Sequence, residues 1–262
     1  MPLSDTPPTP VLAPASTMDA ALDSYRGYVE STLHTLQSQL NTLAAAIQAQ
    51  NVDAARDQWL AAQLSWQRVG AAYGSFGDLG GAINGLPLGL EKGVADPGFT
   101  GLHRVEYGLY HGQSAAELAP VIEDLQKNLA DLLVKLPELT VAGSAMPLRC
   151  HEILEDSLRD NLSGNNDQGS GMALALTWAD VEATQVVLTL LSSLIDAHKA
   201  GYSALISADL DALDAALSSA KLGDRWPDYR QLPLAQRQPV NGAIGRALET
   251  LAYVPPMFSL DD

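Results

Sequence analysis

The sequence predicts an all-α protein made of packed helical bundles. Apolar residues recur at alternating spacings of three and four over several long stretches, which is the pattern of amphipathic helices. No stretch shows the period-two alternation of a half-buried strand. The connections are mostly short, which favours antiparallel helical neighbours. With 262 residues, 47% of them hydrophobic, the chain can bury a substantial core and does not have the composition of a disordered protein.

The elements follow in order. Residues 1–17 carry Pro2, Pro7, Pro8, Pro10 and Pro14 and read as an extended linker. They have no basic segment followed by an apolar one, so they are not a signal peptide; a signal, lipid anchor or upstream domain is expected to have preceded them. Leu22, Tyr25, Val29, Leu33, Leu36, Leu40, Leu43 and Ile47 form the seam of a first long helix. A second runs from Asp53 through Trp59, Leu64, Trp66 and Val69. The glycine-rich stretch from Gly74 to Gly98, with Pro87 and Pro97, is expected to hold no regular element. A loop of that length inside a compact domain is often functional.

"GLHRVEYGLYHG", residues 101–112, then reads as a short helix with Thr100 as its N-cap. Further helices are expected over about 115–136, 147–164, 172–197, 201–220 and 235–253. Pro147 suits a first turn and Gly164 a C-terminus. The count is seven or eight, divided into two bundles at about 18–136 and 146–255. No 20–50-residue repeat is evident.

The charge balance narrows the partners. A net charge of −16 repels nucleic-acid phosphates and anionic lipid head groups. No uninterrupted apolar run reaches the length of a membrane span. Cys150 is the only cysteine, so no disulfide forms within the chain. The glycines of "GSGMALALTWAD" lack the lysine and preceding strand of a phosphate loop. Ser163 and Ser170 lack a nucleophile-elbow context.

His103 and Glu106 are the sharpest chemical signal. Residues three apart on a helix lie about one turn apart on neighbouring faces, so an imidazole and a carboxylate can reach one point. That donor pair suits iron, zinc, copper or manganese. Alone it is a weak motif, and a solvated pair is the commoner outcome. A second helix raises the odds. In "RCHEILED", His151 and Glu155 share one face, Glu152 and Asp156 the next, and Ile153, Leu154 and Leu158 are expected to face the core. Bundle metal sites are assembled from such residues on facing helices. His111, His34 and His198 read as solvated or structural.

Several stretches together resemble the EfeO/imelysin-like family, most closely its actinobacterial type. They are "YRGYVESTLHTL", "SWQRVGAAYGSFGDL", "FTGLHRVEYGLY", "HEILEDSLRDNLSG", "GSGMALALTWADVEATQVVLTLL" and "RWPDYRQLPLAQRQPVNGAIGRALETLA". The resemblance covers about Tyr25 to Val254. It implies two antiparallel four-helix bundles and an extracytoplasmic location, secreted or lipid-anchored. It also implies a role as the metal-binding part of an iron uptake system, beside a membrane permease and a haem peroxidase. The metal it implies is iron, with zinc or copper possible from the donor set. His103 and Glu106 match the family's H-x-x-E segment, with Glu152, His151 and Asp78 as further candidate ligands. Many relatives carry glutamates where Gln67 and Gly70 stand and an aspartate at Asn84. That acidic site is expected to be weakened here. Two other readings stay open: a metallopeptidase of the imelysin type, and a non-catalytic module that binds a partner or polymer.

Overall fold

The computed structural model describes residues 12–138 and 145–258. Pro2, Pro7, Pro8 and Pro10, and most of the connector after the first bundle, lie outside them. Among the described residues the regular elements are all helical: α1 (Met18–Gln48), α2 (Val52–Gln67), α3 (Gly77–Asn84), α4 (Gly101–Tyr110), α5 (Ala115–Lys135), α6 (Ala145–Asp156), α7 (Ala173–His198), α8 (Tyr202–Ser219), α9 (Leu234–Leu251) and α10 (Val254–Met257).

Local chemistry sets the helix starts. Thr17 accepts the Ala20 N–H at 3.2 Å, and Asn51 accepts that of Ala54. Ser114 and Glu117 form a reciprocal capping box at the start of α5. The eight seam residues read from the α1 sequence are all buried. α1 packs against α2 and α5, and α4 closes the first bundle by packing on α2 and α5. α6, α7, α8 and α9 form the second bundle. α7 also packs on α1 and α2, so one core runs through both. The chain before α1 is pinned: Ala15 is buried and its N–H donates to the Leu190 carbonyl at 3.1 Å.

Three local expectations are corrected. The glycine-rich stretch does hold a helix, α3, because packing on α4 and α5 and burial of Ile83 outweigh the poor propensity of glycine. Thr100 stands before α4, but its hydroxyl donates to the Ala82 carbonyl at 3.1 Å instead of capping the helix. Leu158 is exposed, because residues 157–161 form a turn of π-helix that shifts the buried positions to Ser157 and Asn161. α7 is long and apolar enough by composition to cross a membrane, but most of it is buried inside the bundles, where its apolar surface meets α1, α6 and α8.

Cys150 sits inside this core, and burial pushes its thiol up to about 12. The thiolate is the reactive form. The native protein is therefore expected to resist a disulfide reagent at pH 8 and to release one equivalent of colour once unfolded in guanidinium.

Candidate metal centre

α4 is a short helix held from three sides. Trp59 on α2 donates its indole N–H to the Leu102 carbonyl at 3.0 Å, and Arg56 donates to that of Leu109. Leu102, Val105 and Leu109 are buried. Gly101 begins the helix at a φ of +82°, where an added Cβ would collide with the Ile83 carbonyl. These contacts leave His103 and Glu106 on a second buried face, turned toward the other bundle; they are only 2% and 1% exposed.

Glu106 uses both carboxylate oxygens. Its Oε2 lies 2.9 Å from His103 Nδ1. Its Oε1 accepts the Ser170 hydroxyl at 2.6 Å and the backbone N–H groups of Gln168 and Ser170 at 3.0 and 3.3 Å. A carboxylate acceptor places the ring proton on Nδ1 and leaves the Nε2 lone pair free. This is the arrangement in which an outer carboxylate fixes a ligating histidine. Glu106 also ties α4 to the loop of residues 164–172. Asp167 anchors the same loop by accepting the Gly169 and Gly171 N–H groups and pairing with Arg230.

His103 lines a cleft of about 170 Å³ between the bundles. Gln67, Gly70 and Asn84 share its wall. Gln67 Oε1 lies 3.0 Å from the Tyr73 hydroxyl, and Asn84 Oδ1 accepts the Gln63 amide at 3.0 Å. At Gly70, a Cβ would stand 3.3 Å from Ile153 Cγ1; the Ile153 side chain takes the room a longer residue would need.

The other candidates lie elsewhere. Glu152 pairs with Arg149 at 2.6 Å, and His151 lies 3.5 Å from Glu155; neither lines the cleft. Asp78 is exposed in the first turn of α3, where a carboxylate complements the helix dipole.

Of the facing wall, only Asp156 was in view from the sequence. That wall comprises Arg149, Asp156, Asp160, Asn161, Asn166 and Asp180. The π-turn brings Asp160 and Asn161 round to the cleft. Asp156 and Asp160 both pair with Arg159, at 2.8 and 2.6 Å. Asp180 comes from α7 and is 5% exposed. Asn161 donates to it at 2.7 Å, and Ser157 and Thr177 extend the network. One signal pointed to it: a lone carboxylate inside the apolar run "MALALTWADV" requires a buried partner or a use. Among the described residues, no three His, Cys, Asp or Glu side chains converge closely enough to hold a metal ion by themselves.

Burial pushes the Asp180 carboxyl well above the usual range. The native state therefore binds more protons than the unfolded one, and stability falls as pH rises through the ordinary aspartate value. At neutral pH this buried carboxyl destabilises the fold. Asp180→Asn is expected to raise the melting temperature at pH 7, with the gain vanishing below about pH 4, as calorimetric scans across that range would show.

A histidine locked by a carboxylate at an inter-bundle cleft makes this an all-α bundle protein with a candidate metal site. The sequence profile of the family described as Imelysin, Peptidase M75, matches residues 21–251, and the chain belongs to that family. It is also similar to the iron uptake system component EfeO of Escherichia coli strain K12 and to that of Shigella flexneri. Identity to each is 25% over 244 residues, covering 93% of this chain and 65% of the relative. The chain thus spans 65% of the length of these relatives.

Proposed function

We propose that this chain is an iron-capturing component of an uptake system, working outside the cytoplasm and passing its cargo to a membrane permease beside a haem peroxidase. The observation that carries the reading is His103: a buried imidazole on the cleft wall with Nδ1 committed to Glu106, which leaves Nε2 as its ligand atom. The named relatives supply iron; imidazole alone would accept zinc or copper at least as readily. Capture fits the site better than hydrolysis. Glu106 is the motif's only carboxylate, and its oxygens hold His103 and the 164–172 loop, so it is not free to deprotonate a metal-bound water.

Calorimetry on chelator-stripped protein tests this with ferrous iron under anaerobic conditions, and with zinc and copper. One equivalent of ferrous iron should bind, and His103→Ala should weaken binding by about 100-fold or more, beyond the 10–100-fold typical of an outer-shell change. Binding indifferent to His103→Ala would refute the assignment.

A further inference from the structure

The cleft is poor in ligands for a bare ion. On the α4 side, His103 Nε2 is joined by two uncharged amides. Asn84 commits its oxygen to Gln63 and lines the cleft, with its amino group still unspent. Arg149 spends NH1 on Glu152; among the described residues its Nε and NH2 have no acceptor, although it lines the cleft. On the same wall as Arg149 stand Asp156, Asp160 and Asp180. Beside them Asn166, 6% exposed, has a side-chain oxygen with no hydrogen-bond partner. The cleft therefore holds an unspent guanidinium beside acidic groups, and among the described residues no group of acidic or histidine side chains closes on one point.

A cation entering this space would gain one imidazole and little else at close range. A cation that brings its own oxygen ligands would suit both walls. We propose that the cleft takes its metal as a complex with a small di- or tricarboxylic acid, not as the naked ion. The metal would face His103 Nε2 and the acidic wall. The chelator's outer carboxylate would accept from Arg149 and the Asn84 amino group, since guanidinium and carboxylate form strong charge-assisted pairs. The cleft is a small-molecule space of about 170 Å³.

This inference rests on the capture reading, and the experiment separates the two. The intact protein is titrated with ferric citrate, with citrate alone and with anaerobic ferrous iron. Wild type, Arg149→Gln, Asn84→Asp and His103→Ala are compared, with circular dichroism confirming the fold of each. Ferric citrate should bind one to one, at least tenfold more tightly than either citrate or ferrous iron. Arg149→Gln should weaken the chelate at least tenfold and leave ferrous iron within about twofold. Asn84→Asp should weaken the chelate and tighten the bare ion. Ferrous iron that binds as well as the chelate, through His103 and without regard to Arg149, would overturn the chelate proposal and leave capture standing. Failure of both iron forms to bind folded wild-type protein would overturn both.

Discussion

Replacing Glu106 with alanine is expected to cost about 3–5 kcal/mol, the range for losing one partner of a buried charged network, and to lower the melting temperature by roughly 10 °C. Four donors meet its two oxygens: His103 Nδ1, the Gln168 and Ser170 N–H groups and the Ser170 hydroxyl. Alanine would strip His103 Nδ1 of its buried acceptor and the Gln168 and Ser170 N–H groups of theirs, which costs more than the net value of any one bond. Thermal and urea denaturation would measure the loss. Glu106→Gln separates stability from binding. A glutamine can keep its oxygen toward Ser170, but its amino group then faces His103 Nδ1. The ring must move its proton to Nε2, and the ligand lone pair at the cleft is lost. Glu106→Gln should therefore recover much of the stability while still weakening metal binding by about 10–100-fold.

Gly101→Ala is the second large effect. The residue combines a φ of +82° with a backbone obstruction: an added Cβ would lie 2.2 Å from the Ile83 carbonyl oxygen and 2.8 Å from that of Ala82. A left-handed alanine costs on the order of 1 kcal/mol, and moving the end of α3 adds to it. We expect a total of about 3–5 kcal/mol, at the diagnostic end of point substitutions, together with a displaced His103. Gly108, on the same helix, is the control. Its added Cβ would meet side-chain atoms of Leu118 and Gln113, at 2.4 and 2.7 Å, and no backbone atom among the nearest three. The difference in unfolding free energy between the two alanine variants measures how firmly the α3 backbone fixes the start of α4.

The legibility of the sequence varied for physical reasons. α1 could be read residue by residue, because a long helix with one buried face writes its packing into a three-and-four spacing. α3 could not, because its glycines carry no burial pattern and its stability comes from α4 and α5. His103 and Glu106 were visible as a spaced pair, but their division of labour was not. That Glu106 turns away from the cleft depends on Gln168 and Ser170, more than sixty residues further on. Glu152 and His151 looked equivalent to Asp156 in a helical projection, but α6 aims them elsewhere. Beyond Asp156, the π-turn breaks the 3.6-residue register on which any projection relies. Asp180 left a trace, as a carboxylate in an apolar helix; Asn166 and Arg149 left none, since polar residues near loops and helix starts are ordinary.

The central claim is that His103 is the motif's ligand to the cargo and Glu106 its support. Anomalous diffraction from crystals loaded with iron tests it most directly. The account predicts a peak in the cleft about 2.1 Å from His103 Nε2, with Glu106 still bonded to Nδ1 and to Ser170. A peak on the Glu106 carboxylate, or one remote from His103, would contradict it.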